Sequence, residues 1–210
     1  NESDVKNWAQ FILDNGYAVA VPQYGTSPRP NKRPFNCGKN KNLSDMRLVK
    51  DIYDATSALS KVAGVDKNRI FTISTSLGAQ IGVDAIKESN AETATEKKWG
   101  PIPRAVVSLY GGCSYPSRTY LTSNVVSPVL WMMGKDDNYY MQGCFSSTFS
   151  NIKEKHPESE FIDYDNAGHC WDCQALNGFV NKREGQTYIY NPDVTQKSRD
   201  ATIRFLEKFK

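Results

Sequence analysis

The chain has 210 residues, of which 39% are hydrophobic and 23% are charged, so it has enough apolar side chains for a buried core and is not typical of a disordered segment. Its net charge of +3 is too small to favour a nucleic-acid binder. The best apolar run, residues 126–133, falls well short of the ~18 residues that cross a bilayer, so we predict a globular protein with no membrane span and no nucleic-acid partner.

The predicted elements alternate between helix and strand along the chain. In chain order they are a helix over Ser3–Asn15, a strand over Tyr17–Pro22, a helix capped by Ser44 and broken at Val65-Asp66, a strand over Arg69–Ile73, a helix over Ala79–Lys87, strands over Ala105–Tyr110 and Pro128–Met133, a helix over Phe149–Lys155, a strand over Phe161–Tyr164 and a helix over Val194–Phe209. The polar segment Asn90–Gly100 is predicted to be a surface excursion. Strands that are apolar on both faces and alternate with helices predict one α/β domain over residues 1–210, with a parallel sheet covered by helices on both faces.

Three of these helices carry apolar residues at helical spacing, which predicts the face that each one buries. The predicted core residues are Val5, Trp8 and Ile12 in the first helix, Met46, Val49, Ile52 and Leu59 in the second, and Val194, Ala201, Phe205 and Leu206 in the last.

Ser76 lies in the sequence Ser74-Thr75-Ser76-Leu77-Gly78, between a predicted strand and a predicted helix. Small residues two before and two after a serine are typical of a nucleophile elbow, in which the N–H of the next residue, Leu77, helps to hold an oxyanion. The usual motif is G-x-S-x-G, and Ser74 replaces its first glycine. The alternative is a turn rich in Ser and Thr that caps a helix.

Two further polar residues follow strands. Asp137 lies in Gly134-Lys135-Asp136-Asp137, directly after the strand that ends at Met133, and His169 lies just past the strand that ends at Tyr164. Each has an alternative interpretation without a catalytic role: Asp137 would be a turn residue, and His169 would be a structural or solvated histidine. The order serine, aspartate, histidine, with each residue at the carboxyl end of a strand, is however that of the α/β-hydrolase triad. The sequence therefore predicts Ser76, Asp137 and His169 as catalytic residues.

The sequence resembles the α/β-hydrolase fold and, within it, the dienelactone hydrolase-like family. The segments that carry the resemblance run over most of the chain: Trp8-Ala9 to Gly16-Tyr17, Val19 to Pro22, Ser27-Pro28-Arg29, Cys37, Asp54-Ala55 to Ile70, Gly134 to Asp137, Gly168-His169 and Tyr190-Asn191-Pro192. The resemblance implies Ser76 as nucleophile, His169 as general base and then acid, and Asp137, rather than Asp136, as the orienting carboxylate. The namesake enzymes use a cysteine nucleophile; with a serine in that place, esterase-type chemistry is the expectation.

The resemblance also implies a strand between the one at Tyr17 and the one at Ile70, followed by a loop that supplies a second oxyanion N–H. In the family both precede the segment that begins this sequence. We therefore expect a missing N-terminal segment or a partner chain to supply them.

Five cysteines leave several interpretations open: Cys37, Cys113, Cys144, Cys170 and Cys173. Cys170 and Cys173 form a lone C-x-x-C without the second ligand pair of a zinc site, so we expect no metal. The cysteines are either free thiols or disulfide-bonded, and the second possibility favours an exported protein over a cytoplasmic one. A disulfide between Cys170 and Cys173 would make the His169 loop more rigid.

Substrate-binding candidates are Arg29, Tyr139 and Trp171. Arg29 belongs to a basic loop that extends to Lys50, which is either an electropositive mouth for anionic acyl substrates or a solvated surface. Tyr139, Tyr140, Trp131 and Trp171 are predicted either to line an acyl pocket or to lie in the core.

The function predicted from the sequence is a serine hydrolase that cleaves a small ester, lactone or thioester through an acyl-enzyme. The chain has neither G-x-G-x-x-G nor a P-loop, and we expect no cofactor. The alternatives are a peptidase of the same fold and a binding protein without turnover.

Overall fold

The computed structural model describes residues 2–22, 45–112, 114–115, 118–119, 123–140, 142–182 and 185–210. Arg29, Ser44, Cys37 and Cys113 lie outside these ranges, so the predictions made for them are not addressed by the structure.

Helices and strands alternate over the described residues. The helices are α1 Glu2–Asp14, α2 Asp45–Leu59, α3 Leu77–Ala85, α4 Glu88–Glu96, α5 Gln142–Lys155 and α6 Pro192–Glu207. The strands are β1 Phe71–Thr75, β2 Ala105–Leu109, β3 Ser114–Tyr115, β4 Arg118–Thr119, β5 Val129–Gly134, β6 Glu160–Tyr164, β7 Val180–Asn181 and β8 Gln186–Thr187. None of the helices in these ranges has the length and hydrophobicity needed to cross a membrane.

Four strands form one parallel sheet in the order β1-β2-β5-β6. The central strands β2 and β5 are completely buried along their length, as expected for strands that are covered on both faces. Two antiparallel pairs, β3 with β4 and β7 with β8, lie outside this sheet. The sheet confirms the predicted parallel α/β architecture.

The N-terminal segment departs from the prediction. Residues 17–22 form no strand, and the sheet order β1-β2-β5-β6 does not include them. Trp8 and Ile12 of α1 are buried as predicted, but Val5 is 41% exposed and Asp4 is buried in its place.

Two other predictions were wrong. Met46 is 39% exposed, because the buried face of α2 runs through Leu48, Val49, Tyr53 and Thr56 instead. The segment Asn90–Gly100 is not an excursion, since most of it belongs to α4, which buries the small side chains of Ala91 and Ala94. The predicted core residues of the last helix, in contrast, are all buried: Val194, Ala201, Phe205 and Leu206.

Candidate active site

Ser76, Asp137 and His169 all follow the carboxyl ends of parallel strands. Ser76 comes directly after β1, Asp137 follows β5, and His169 follows β6. Because parallel strands end at one edge of a sheet, the three side chains start from the same edge.

The backbone at Ser76 makes a sharp strand-to-helix turn. Ser76 has φ +52° and ψ −125°, a conformation in the region that non-glycine residues rarely adopt. Its N–H donates to the carbonyl of Leu109 on β2 at 3.0 Å, which fixes the turn to the sheet. The next residue, Leu77, begins α3, so its N–H lies in the first helical turn, where amide groups have no intrahelical acceptor. This geometry is that of a nucleophile elbow.

The structure explains how Ser74 replaces the first glycine of the motif. A Cβ added to Gly82 of α3 would lie 2.6 Å from the Ser74 Oγ. The serine hydroxyl therefore occupies space that a side chain at position 82 would need. The extra bulk at position 74 is accommodated by the missing side chain on the helix above it.

The three side chains form a continuous chain of hydrogen bonds. Ser76 Oγ lies 2.9 Å from His169 Nε2, and His169 Nδ1 lies 2.8 Å from Asp137 Oδ2. The other carboxylate oxygen of Asp137 accepts a hydrogen bond from the Tyr139 N–H at 2.9 Å. Asp137 and His169 are each 4% exposed, so little water competes for these contacts.

The His169 loop crosses the sheet edge to reach Ser76. Three strand spacings separate β6 from β1, or about 14 Å at ~4.8 Å each. Beneath the loop lies Tyr110, which follows β2; its ring centroid is 4.9 Å from that of His169. Tyr110 thus supports the imidazole from the core side.

Two further contacts hold this loop. Trp8 Nε1 of α1 donates to Asp172 Oδ2 at 2.6 Å, and a disulfide joins Cys170 to Cys173, whose Cα atoms are 5.2 Å apart. Burial raises the pKa of the Tyr110 hydroxyl well above its usual value, and the negative charge of the nearby Asp172 carboxylate raises it further. The phenol is therefore neutral.

Two half-buried tyrosines, Tyr139 and Tyr188, contact the imidazole from other sides. Their ring centroids lie 5.6 Å and 5.5 Å from that of His169. Tyr139 was predicted as a substrate-binding residue, and its position beside His169 is compatible with that role. The sequence analysis did not identify Tyr188 or Tyr110, although the place of Tyr110 at the carboxyl end of a predicted strand was a usable signal.

Trp171 and Trp131 lie in the core rather than in a pocket. Both side chains are 0% exposed, and the Trp171 ring packs against Tyr110 and Tyr164. A fully enclosed ring has no surface left for a ligand, so we correct the prediction that Trp171 binds substrate.

Cys170, Asp172 and Cys173 lie close enough together to suggest a metal site. The two sulfur atoms are joined in the disulfide, however, so they offer no thiolate to a metal. The carboxylate of Asp172 is already bound by Trp8. This arrangement fits a structural link better than a metal centre.

A cavity of about 570 Å³ lies away from these residues, and Lys67, Lys98 and Arg104 are among those that line it. Lys67 and Arg104 precede β1 and β2, which places the cavity at the amino ends of the strands. It is therefore at the edge of the sheet opposite Ser76.

Residues 1–210 match the dienelactone hydrolase family over their whole length. The chain belongs to the dienelactone hydrolase family. This match confirms the resemblance seen in the sequence. No curated protein matches the sequence.

Solved structures of other hydrolases share the fold of this family member. A dienelactone hydrolase from Klebsiella pneumoniae subsp. pneumoniae MGH 78578 is 15% identical with a TM-score of 0.58, over 79% of this chain and 62% of that one. A sugar hydrolase from Lactococcus lactis is 16% identical with a TM-score of 0.61, over 96% and 81%. Esterase 2 of Thermogutta terrifontis is 12% identical with a TM-score of 0.57, over 80% and 66%. The fold is that of the α/β hydrolases, and the chain spans less than two thirds of the Klebsiella structure.

Proposed function

We propose that the protein is a serine hydrolase that cleaves carboxylic esters, lactones or thioesters through an acyl-enzyme. The observation that carries this proposal is the unbroken hydrogen-bond chain from Ser76 through His169 to Asp137, with contacts of 2.9 Å and 2.8 Å. The strained backbone at Ser76 supports it, because an elbow exposes the nucleophile above the sheet.

Proton positions follow from the donors and acceptors. The ionised Asp137 carboxylate only accepts hydrogen bonds, so His169 carries its proton on Nδ1 and leaves Nε2 free as an acceptor. Ser76 then donates its hydroxyl proton to Nε2. A serine hydroxyl is a weak nucleophile until a base takes this proton.

In acylation, the Ser76 oxygen forms a bond to the carbonyl carbon while His169 takes the serine proton. The tetrahedral intermediate collapses, the bond to the leaving oxygen breaks, and His169 delivers the same proton to that oxygen. Water then gives a proton to His169 and attacks the acyl carbon. That proton returns to Ser76 as the carboxylic acid leaves, so atoms and charge balance over the cycle.

The backbone N–H of Leu77 is the proposed oxyanion donor. It lies directly after the nucleophile and in the first turn of α3, where the helix dipole also favours negative charge. A preorganised donor of this kind typically contributes about 10²- to 10³-fold in kcat.

The comparisons support hydrolase chemistry at a coarser level. The family is a family of hydrolases, and the Thermogutta terrifontis esterase is described in the form phosphoramylated by tabun. An organophosphate that modifies that esterase is a suitable probe for a reactive serine here.

The decisive experiment compares wild type with Ser76→Ala in p-nitrophenyl acetate hydrolysis and in labelling by a fluorophosphonate. We expect Ser76→Ala to lose several orders of magnitude in turnover and all labelling. Ser60→Ala, which removes a hydroxyl at the end of α2, is the matched control and should retain both. Labelling and turnover that survive Ser76→Ala would refute the mechanism.

The same assay separates the alternatives. A peptidase would cleave an anilide with the same acyl group at a rate comparable to the ester. A binding protein without turnover would neither hydrolyse the ester nor react with the probe.

A further inference from the structure

We propose that Phe179 and Tyr188 bind the alcohol part of the ester substrate, and that this part is apolar and carries a ring. The inference rests on the proposed function and names the substrate class of the same site. It starts from the hairpin formed by β7 and β8, which lies between His169 and the last helix in the sequence.

The hairpin is fastened beside the catalytic side chains. Gln186 of β8 is buried and accepts a hydrogen bond from the N–H of Asn138, the residue after Asp137, at 3.3 Å. At the base of the hairpin, the Tyr188 N–H donates to the Phe179 carbonyl at 2.9 Å. These contacts give the hairpin a fixed position next to the acid and the base.

Phe179 and Tyr188 share one face of this hairpin. Val180 pairs with Thr187 in the ladder, so the preceding residue, Phe179, stands opposite Tyr188 with its side chain on the same face. Their ring centroids are 5.6 Å apart. Val180, the neighbour of Phe179, belongs to the other face.

The rings of Tyr188 and Phe179 form a row that extends from His169 toward solvent. Tyr188 contacts the imidazole at 5.5 Å between centroids, and the Phe179 side chain beyond it is 50% exposed. The core side of the imidazole is already covered by the buried Tyr110. The side of the imidazole where Tyr188 lies is therefore the one that we assign to a substrate group extending from His169.

The chemistry indicates which part of the substrate this is. His169 delivers its proton to the leaving oxygen, so that oxygen must come within about 3 Å of Nε2. The group attached to it, the alcohol part, starts beside the imidazole. Two adjacent aromatic rings favour an apolar partner, and a ring most of all, because aromatic pairs contribute beyond their buried area.

The test uses pairs of acetate esters with the same acyl group and alcohols of similar acidity, benzyl acetate and methyl acetate. Both form the same acetyl-enzyme, so their kcat/KM values differ only through acylation. We expect the wild type to prefer benzyl acetate, and Phe179→Ala to lower this preference, measured as the ratio of the two kcat/KM values, by about tenfold. Val180→Ala is the matched control: this side chain is 56% exposed, adjacent in sequence and on the other face, and the preference should be retained.

Each other outcome has a distinct meaning. An unchanged preference in Phe179→Ala, or an equal loss in Val180→Ala, overturns the inference and leaves the proposed function standing. A change in the ratio of methyl butyrate to methyl acetate instead assigns the rings to the acyl part and also overturns it. A wild type that hydrolyses neither acetate and does not react with a fluorophosphonate refutes the proposed function and the inference together.

Discussion

Gly134→Ala, a substitution of the last residue of β5, is expected to inactivate the protein, although Gly134 is not one of the proposed catalytic residues. A Cβ at this position would lie 2.1 Å from the carbonyl oxygen of Ala167, whereas carbon–oxygen contacts lie at about 3.3 Å or more. The His169 loop must therefore move by about 1 Å, and the hydrogen bond from the Asp136 N–H to the same carbonyl, 3.0 Å long, cannot persist unchanged. A displacement of this size in a catalytic group costs about 100-fold, equal to about 2.7 kcal/mol of activation free energy.

Gly168→Ala provides the control. It adds the same methyl group directly beside His169, but the nearest atoms would be the carbonyl oxygens of Asp136 and Thr187 at 3.9 Å and 4.0 Å, which are ordinary contacts. The assay is the rate of fluorophosphonate labelling at Ser76, together with kcat/KM for p-nitrophenyl acetate and a thermal melt. Full reactivity in Gly134→Ala, or an equal loss in Gly168→Ala, would show that the close approach at Gly134 does not control the position of the loop.

Three other predictions follow from the contacts of the site. Asp137→Asn should lower kcat by about 10⁴-fold, because an amide N–H facing His169 Nδ1 places the imidazole proton on Nε2, where it blocks acceptance of the serine proton; a loss below tenfold in ester hydrolysis would contradict this. Gly82→Ala as a single substitution should destabilise the protein, because the new Cβ would lie 2.6 Å from the Ser74 Oγ. In a Ser74→Gly background the same change should be neutral or stabilising, because alanine is more favourable than glycine in a helix by ~1 kcal/mol. Additive changes in the free energy of unfolding, measured by urea denaturation of the double-mutant cycle, would rule out the proposed fit. The wild-type free energy of unfolding should fall above about pH 10, because the raised pKa of Tyr110 keeps its phenol protonated in the folded state while the unfolded chain ionises. Tyr110→Phe should make this fall less steep, by up to ~1.4 kcal/mol per pH unit. Parallel curves of unfolding free energy against pH for both proteins would show that Tyr110 makes no contribution.

The sequence was informative where chemistry and strand position coincide. Ser76, Asp137 and His169 each follow a run of apolar residues, and in a parallel sheet this alone brings them to one edge. In the structure the three side chains lie within hydrogen-bond distance of one another in sequence from Ser76 through His169 to Asp137. Strand ends were predictable because they depend on local hydrophobicity.

The residues around the triad were less predictable, because their positions depend on contacts between distant segments. Trp171 follows His169 by two positions, yet it points into the core while Tyr188, much further along, reaches the imidazole. Which of the two residues faces the site depends on how the chain after β6 folds back, and the local sequence of that segment does not predict this path. The helix at Glu88–Glu96 was missed for another reason, since the side chains that it buries are alanines in a polar sequence.

The position of His169 depends on the helix that begins the described chain. The loop leaves β6, which lies about 14 Å of sheet edge away from β1, and a loop that crosses between strands holds a hydrogen-bond geometry only if it is supported along its path. The support comes from Tyr110 below, from the Cys170–Cys173 disulfide within, and from Trp8 of α1, which donates to the buried Asp172 across 164 residues of sequence. Because a buried carboxylate that loses a hydrogen-bond donor is destabilised, loss of the Trp8 contact would weaken the hold on Asp172 and on the adjacent loop. The hydrogen-bond geometry of Ser76, His169 and Asp137 therefore depends on the whole sheet edge and on α1 together, as well as on the three motifs that predict it in the sequence.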